Sequence, residues 1–269
     1  NPWLALAGSL AYGFSSFFFQ VIAAGHNTQA IAIAYMAPMI GGIWYAYRKD
    51  AIKGALITAV FMALELVANH PQMTYYALLC ALLYILIEFI YSLKEKVLAR
   101  FLKTSALLLA SAVVAVGINF AFLYSTYEYG KYSMRGKSDL VSESGNMTSG
   151  LKKDYIVQWS YGVGETMNLL IPNFKGGSSH PFDRDSETFK LLRQNNIADR
   201  INMTQKYWGD QPGTEGPVYM GAIVVFLFVL GLIVIRGRER WWLAASVLLA
   251  IMLAWGKNFM PLSNLFIDF

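Results

Sequence analysis

Two short polar turns in the sequence each hold one histidine flanked by carboxamide side chains. The turns cover residues 25–29 and 69–72, and each lies between two long apolar stretches. Imidazole exchanges protons near neutral pH and carboxamides donate and accept hydrogen bonds, so the turns suit recognition of hydroxyl groups or phosphate oxygens. The alternative is that these residues only cap helix ends. On the first interpretation, the catalytic candidates are His26 and His70, and the substrate-binding candidates are Asn27, Asn69 and Gln72.

Glu65 is a carboxylate well inside an apolar stretch. Ionisable groups are costly in a membrane and usually face the protein interior or a wet cavity. We therefore predict that Glu65 binds substrate in a cavity that His26 and His70 also border. The alternative is that its carboxylate only reaches the nearby interface. Glu88 lies close to a basic loop that can neutralise it, so we assign it no site role.

An aromatic and glycine-rich string runs through residues 154–177. Its aromatic rings offer flat faces for sugars, and two glycines after its lysine expose backbone that suits an anionic group. We predict Glu165 as a catalytic residue that lies over the same cavity. The predicted substrate-binding residues of the string are Trp159, Tyr161, Asn173 and Lys175. The alternative is a packed cap in which the aromatic side chains only fill space.

The three histidines are His26, His70 and His180. Histidines from distant segments could converge on a metal ion. However, the sequence contains no His-x-x-x-His or Glu-x-x-His spacing. We therefore predict no metal site and assign no cofactor, while a requirement for a divalent metal stays open.

The apolar residues that must position these groups cluster into seven long stretches. The chain has 269 residues, of which 56% are hydrophobic and 14% are charged, whereas a soluble domain is about 25% charged. Crossing a bilayer takes about 20 residues as a helix, so we expect an all-α integral membrane protein, a bundle of about seven spans. The expected spans are 3–24, 29–47, 51–69, 72–92, 101–124, 218–235 and 241–256.

Basic residues are concentrated in three short connections between the expected spans. These connections hold ten of the 22 Lys and Arg residues against three acids. Loops rich in Lys and Arg usually face the cytoplasm, so the membrane topology accounts for the net charge of +5. The charge gives no reason to expect a nucleic-acid partner. With these loops inside, both histidine turns and the long polar insertion face the extracytoplasmic side. The basic residues are Arg48, Lys49, Lys53, Lys94, Lys96, Arg100, Lys103, Arg236, Arg238 and Arg240.

Three regions follow from this organisation. A five-helix membrane region is expected over residues 1–124 and an extracytoplasmic cap over 125–217. A two-helix membrane region with the start of the next outer loop is expected over 218–269. Because Asn1 is not an initiator methionine, we also expect the chain to be a piece of a longer protein.

The expected cap divides further by composition. Residues 127–150 are rich in Ser, Gly and charge and predict an irregular arm. A short helix is expected after Gly164, and residues 186–206 predict an amphipathic helix at the surface.

Five segments of the sequence carry a family resemblance: residues 24–28, 68–75, 126–131, 158–162 and 170–177. They resemble the YfhO-like family of large bacterial membrane proteins. The resemblance implies a GT-C-type glycosyltransferase architecture, with extracytoplasmic loops over a membrane-level cavity and a polyprenyl-phosphate sugar as donor. It also implies a cell-envelope acceptor such as a teichoic acid, and location in the bacterial cytoplasmic membrane. The key acid of GT-C enzymes usually lies in the first extracytoplasmic loop, which would precede this chain.

These observations favour a membrane enzyme that transfers a sugar from a polyprenyl-phosphate donor to a cell-envelope acceptor on the extracytoplasmic face. The expected partners are the lipid bilayer, the lipid-linked sugar and the acceptor. A transporter or flippase of a lipid-linked substrate is the alternative, and it would need a polar path through the whole bilayer. A noncatalytic assembly protein would leave the paired histidine turns without a purpose.

Overall fold

A computed structural model describes residues 1–133 and 152–268 of the chain. Over these residues the structure is helical, and its only β-type pairing is an isolated bridge between Gly176 and Tyr207. Most of the irregular arm predicted for residues 127–150 lies outside the described residues.

The described residues contain twelve α-helices and three short 3-10 helices. The 3-10 helices are Val163–Leu169, Ala198–Met203 and Gly256–Phe259. The α-helices are α1 (Pro2–Gly13), α2 (Ser16–Ala23), α3 (Asn27–Arg48), α4 (Ala51–Val67), α5 (Pro71–Lys94), α6 (Leu98–Ile118), α7 (Phe120–Gly130), α8 (Lys153–Ile156), α9 (Glu187–Gln194), α10 (Ala222–Val234), α11 (Arg238–Ala254) and α12 (Met260–Asp268).

Within residues 1–133 and 152–268, four helical segments are long and apolar enough to cross a membrane, which makes this a helical membrane protein. They are Pro2–Ala23, Asn27–Arg48, Pro71–Lys94 and Leu98–Ile118. A fifth candidate is the pair Arg238–Ala254 and Gly256–Asp268, which is bent by 114°. Two other predicted spans form shorter helices, since α4 has 17 residues and α10 has 13. At 1.5 Å per residue, α10 is only about 20 Å long.

The chain divides into two compact units. The bundle unit comprises His26–Lys152 and Ile235–Val247 and contains α3 to α7. The insertion unit comprises Asn1–Gly25, Lys153–Val234 and Leu248–Phe269.

Small residues bring α3 and α4 into backbone contact in the bundle unit. A Cβ added at Gly54 would lie 2.3 Å from the Ala46 backbone nitrogen, and one added at Gly42 would lie 2.7 Å from the Thr58 hydroxyl oxygen. Close approach of this kind is how helices associate in lipid, where apolar burial alone gives little driving force. The two glycines therefore set the spacing of this helix pair.

Polar side chains join α6 to α4. The Ser111 hydroxyl donates to the Ala55 carbonyl at 2.7 Å, and the Asn119 amide donates to the Ala63 carbonyl at 3.0 Å. Ser111 lies about two turns before the end of α6 and Asn119 caps that end, so the two hydrogen bonds together fix the register of the two helices.

Charged residues near the ends of α3, α5 and α11 form ion pairs within the bundle unit. The Arg238 guanidinium bridges Glu88 at 2.8 Å and Glu95 at 2.5 Å, and it lies over the Tyr91 ring. Glu88 thus pairs with an arginine of α11, whereas the sequence suggested the nearest basic loop as its partner.

The sharp bend after α11 has a local cause in the insertion unit. Gly256 has a φ of +43°, and an added Cβ would lie 2.0 Å from the Ser160 hydroxyl oxygen. The same hydroxyl accepts a hydrogen bond from the Lys257 backbone at 2.7 Å. The Tyr161 backbone N–H donates to the freed Ala254 carbonyl at 2.7 Å. The residue 160–161 segment thereby satisfies backbone groups that the bend exposes.

Candidate functional site

Glu165 is the centre of the insertion unit's polar interior. The short helix expected after Gly164 is the 3-10 helix Val163–Leu169, and its first turn holds Glu165 at 1% exposure. The Tyr207 hydroxyl donates to one carboxylate oxygen at 2.5 Å. The Gly162 and Asp210 backbone N–H groups donate to the other, at 2.5 and 3.2 Å. Three donors therefore hold the carboxylate in place.

Two glycines leave room for this carboxylate. An added Cβ at Gly209 would lie 2.2 Å from one Glu165 oxygen, and one at Gly162 would lie 2.9 Å from the other. Larger residues at either position would displace the carboxylate from its donors. The glycines of the string thus serve packing around Glu165.

The same arrangement changes the pKa of the Tyr207 hydroxyl. Burial raises the pKa of the Tyr207 hydroxyl, and its hydrogen bond to the Glu165 carboxylate raises the pKa further. Both effects favour the neutral phenol, which is the form that donates. Tyr207 is therefore a hydrogen-bond donor to Glu165 throughout the neutral pH range.

Asn168 ties Lys175 and Tyr161 to the same interior. The Asn168 side chain is 2% exposed and accepts from the Lys175 backbone N–H at 3.0 Å. Burial raises the pKa of Tyr161, and a hydrogen bond from Asn168 partly offsets that rise. The Lys175 side chain passes close to Gly164 and forms no ion pair with any described residue.

Gly176, the first glycine after Lys175, lies at a position where only glycine fits. It has a φ of +85°, and an added Cβ would lie 1.9 Å from the Lys206 carbonyl oxygen. Backbone hydrogen bonds join Gly177 to Lys206 at 2.8 Å and Trp208 to Lys175 at 3.1 Å. The segment that begins at Asn173, itself exposed with a φ of +57°, is therefore held against residues 206–208.

Two exposed indoles belong to the chain segments that form this polar interior. Trp159 is 58% exposed and Trp208 is 61% exposed. The Gln211 side chain donates to the Trp159 carbonyl at 3.2 Å, which ties the two segments that carry the indoles. Asp210, two residues after Trp208, is exposed, and its carboxylate has no hydrogen-bond or ion-pair partner among the described residues. We call Trp159, Trp208 and Asp210 the indole patch.

The sequence interpretation missed Tyr207, Trp208 and Asp210. A signal was present, because residues 207–210 read Tyr-Trp-Gly-Asp and repeat the aromatic, glycine and acid composition of the string at 159–165. The two strings are about 45 positions apart, and only folding brings them together around Glu165.

The two predicted histidines occupy matching positions in the bundle unit. His26 is the N-cap of α3 and His70 is the N-cap of α5. The Gln29 side chain of α3 contacts the Met73 sulfur of α5 at 3.9 Å, so the first turns of both helices meet at one end of the unit, the histidine end. His26 is exposed, while the His70 Nδ1 atom is buried without a hydrogen-bond partner among the described residues.

The carboxamides at the histidine end differ in their surroundings. Asn69, with a φ of +49°, exchanges hydrogen bonds with Thr126 of α7 at 2.9 and 3.2 Å. Both line an open cleft of about 470 Å³ that Lys131 also borders. Gln72 donates to the Tyr76 hydroxyl at 2.9 Å, and Asn27 is exposed.

Glu65 lies inside the bundle unit with no exposed surface. Both of its carboxylate oxygens face the Thr74 hydroxyl, at 2.9 and 3.0 Å. Glu65 is among the residues around an internal cavity, but its side chain has no surface accessible from that cavity. Neither histidine lines that cavity.

In the part of the chain that the structure describes, no cluster of three or more His, Cys, Asp or Glu side chains could hold a metal ion. His180 instead contacts Glu215 at 3.2 Å on an exposed surface.

Comparison with known proteins gives no relative: the chain matches no protein-family model, no curated protein and no solved structure.

Proposed function

We propose that this protein is a membrane glycosyltransferase that takes a sugar from a polyprenyl-phosphate donor on the extracytoplasmic face. The observation that carries the proposal is the indole patch. Sugars stack on exposed indoles, and a free carboxylate beside them can accept a proton from a sugar hydroxyl. A membrane protein that carries such a surface is suited to a substrate with a lipid part and a carbohydrate part.

The proposed reaction is displacement at the anomeric carbon of the donor sugar. A carboxylate takes the proton of the acceptor hydroxyl, whose oxygen then attacks the anomeric carbon as the bond to the phosphate oxygen breaks. The electron pair leaves with the polyprenyl phosphate. A lysine such as Lys175 would stabilise the leaving phosphate, because charge develops on it in the transition state.

Asp210 is our first candidate for the proton acceptor. Its carboxylate is exposed and has no partner in the described part of the chain, whereas three protein donors already occupy the Glu165 carboxylate. A catalytic role for Glu165 stays a prediction, as do those for His26 and His70 and the substrate contacts proposed for the carboxamides.

The proposal also includes the number of membrane spans, the position of the cap and the family. In a seven-span arrangement, α4 and α10 would cross the membrane as short helices, and residues 125–217 would form an extracytoplasmic cap. Membership of the YfhO-like family, the GT-C architecture and the bacterial cytoplasmic membrane are predictions of the same kind.

The alternative, a flippase or transporter, has less support in the bundle unit. The cavity inside it is lined mainly by apolar side chains, among them Ile43, Leu78, Ile85 and Leu108. A polar substrate moving through the bilayer needs hydrogen-bonding groups along its route.

Transfer by purified protein in proteoliposomes tests the proposal. The donors are polyprenyl phosphates that carry glucose, galactose or N-acetylglucosamine, and the acceptor is a teichoic acid. The readouts are release of free polyprenyl phosphate and gain of sugar on the acceptor. We expect one donor to be used, and we expect Asp210→Asn to lower kcat by about 100-fold or more, as loss of a general base does. Trp208→Ala should mainly raise KM.

Asp185→Asn is the matched control, because Asp185 is another exposed carboxylate of the insertion unit. It should transfer like the wild type. The proposal fails if the wild type uses none of the donors. If transfer occurs but both indole-patch variants behave like Asp185→Asn, the patch is not the site.

A further inference from the structure

Lys257 lies at the sharp bend between α11 and α12, in the insertion unit. It is the only charged residue in the apolar stretch 241–267. Ionisable groups in such stretches are costly in a membrane and usually have a specific partner or role. The charge of Lys257 is therefore expected to have a partner.

No acidic side chain of the described residues pairs with Lys257. In the same unit, Lys153, Lys190 and Lys206 each pair with an acid, at 2.6, 2.6 and 2.7 Å. Lys257 is exposed, and among the described residues its ammonium donates only to the Asp210 backbone carbonyl, at 3.3 Å. An ammonium has three donors, so two donors and an uncompensated positive charge remain for a ligand.

Hydrogen bonds on both sides of Lys257 hold the bend in place. The Asn258 amide donates to the Tyr161 carbonyl at 2.9 Å. The Trp255 indole donates to the Thr166 hydroxyl at 2.9 Å. The backbone of Lys257 is thus fixed before any ligand binds, which lowers the entropy lost on binding.

Lys257 and Asp210 bring opposite charges to the indole patch without neutralising each other. The Asp210 carboxylate lies against Gly162, where an added Cβ would be 2.5 Å from it, while the Asp210 carbonyl contacts Lys257. The two charged groups form no ion pair. A proton acceptor and a cation are therefore both available close together, as transfer from a phosphate donor requires.

The end of α11 reaches the depth at which lipid phosphates lie. As a membrane span, α11 has 17 residues and is about 26 Å long, against about 30 Å for the hydrocarbon core. The bend of 114° then turns the chain away from the α11 axis. Long basic side chains near the end of a span extend toward the head groups, so Lys257 is placed to meet a lipid phosphate.

We propose that the Lys257 ammonium binds the phosphate group of a membrane lipid. The identity of that lipid, the polyprenyl-phosphate donor, rests on the proposed function. When the bond between the anomeric carbon and the phosphate oxygen breaks, the electron pair stays on that oxygen, and Lys257 stabilises the charge. Lys257 then shares the role assigned to Lys175.

Photolabelling of the full chain in phosphatidylcholine nanodiscs tests this proposal. The probe is a diazirine-bearing farnesyl phosphate, a short polyprenyl phosphate, and labelled peptides are identified by mass spectrometry. We expect labelling of the insertion unit that farnesyl phosphate displaces and farnesol, which lacks the phosphate, does not. Lys257→Gln should lower this labelling by about tenfold or more, the effect of losing a hydrogen bond to a charged group. Lys257→Arg should retain it.

Lys190→Gln is the matched control, because Lys190 is another exposed lysine of the insertion unit. It should be labelled like the wild type. Equal labelling of Lys257→Gln and Lys190→Gln would overturn the proposal, as would equal displacement by farnesol or by inorganic phosphate. Displacement by phosphatidylglycerol as efficient as that by farnesyl phosphate would overturn the donor as the ligand and assign the phosphate site to a bilayer phospholipid.

Binding of the probe does not require turnover, so the two proposals fail separately. Weaker labelling of Lys257→Gln supports the phosphate site even where the wild type uses no sugar donor. A wild type that transfers sugar while Lys257→Gln is labelled like Lys190→Gln keeps the proposed function and loses the site.

Discussion

The Tyr207 hydroxyl donates a hydrogen bond to the buried Glu165 carboxylate, across 42 positions of the sequence. The same hydroxyl accepts a hydrogen bond from the Gln211 backbone at 2.8 Å. Tyr207 is 5% exposed and Glu165 is 1% exposed, so water cannot replace either partner. This relationship fixes the segment that presents Trp208 and Asp210.

Tyr207→Phe should destabilise the insertion unit. The substitution removes one of three donors and leaves a buried carboxylate oxygen unsatisfied, which costs about 1–3 kcal/mol or more. Thermal unfolding in detergent and protease sensitivity of residues 153–217 measure the effect. Tyr155→Phe is the control, because Tyr155 is 53% exposed. A Tyr207→Phe protein as stable as this control would contradict the structural role.

Stability should fall at alkaline pH in a way that depends on Tyr207. The folded protein raises the pKa of Tyr207 above its ordinary value of 10.0, chiefly through burial. Above that pH the unfolded chain loses the tyrosine proton while the folded chain keeps it, so unfolding becomes easier as pH rises. The melting temperature of the wild type should decline more steeply between about pH 9 and about pH 11 than that of Tyr207→Phe. Parallel declines would show that another group is responsible.

Two adjacent glycines of α3 should respond in opposite directions to alanine. A Cβ at Gly42 would lie 2.7 Å from the Thr58 hydroxyl oxygen, whereas nothing lies within 4 Å of one at Gly41. We expect Gly42→Ala to cost about 1–3 kcal/mol through overpacking and Gly41→Ala to stabilise α3 by about 0.5–1 kcal/mol. Melting temperatures of the two proteins in the same detergent decide the matter. Equal shifts would mean that α3 and α4 are not in backbone contact.

Removal of the Arg238 side chain should destabilise the bundle unit more than removal of Arg236. Arg238 pairs with Glu88, which is 4% exposed, while Arg236 is exposed and forms no ion pair within the described chain. Breaking a buried pair typically costs about 3–5 kcal/mol, because a charge is left uncompensated. Adding Glu88→Gln to Arg238→Met should therefore recover part of the lost melting temperature. Without such recovery, Arg238 acts through packing rather than charge.

Sidedness can be tested with single cysteines in a Cys80→Ser background. Gln194 is exposed at the end of α9, and Lys94 is exposed at the end of α5. The positive-inside rule predicts that an impermeant maleimide labels Gln194→Cys in intact cells and Lys94→Cys only after the membrane is opened. The reverse pattern would invert the proposed topology.

The sequence by itself determined the membrane class and the composition of the candidate strings. Lipid offers no hydrogen-bond partners, so long uncharged stretches must fold as helices whatever their neighbours are. Glu65 was recognisable as a residue that faces the protein interior, because a carboxylate in an apolar stretch is costly where it faces lipid. Local rules also suffice for the start of the helix after Ser186, whose side chain caps its first turn by accepting from Phe189 at 3.2 Å. The predicted extent of that helix, residues 186–206, was wrong, because α9 ends at Gln194 and Ala198–Met203 forms a separate 3-10 helix.

Only the tertiary structure decided what the polar residues contact. Glu165 and Asp210 are both acids in glycine- and aromatic-rich strings. The Glu165 carboxylate is buried under three donors, whereas the Asp210 carboxylate is exposed and contacts no donor among the described residues. Gly41 and Gly42 are neighbouring glycines that the sequence does not distinguish, and of the two only Gly42 lies against the backbone of α4. Such differences depend on which distant segment packs against each residue, and that information lies in long-range packing rather than in local spacing or composition.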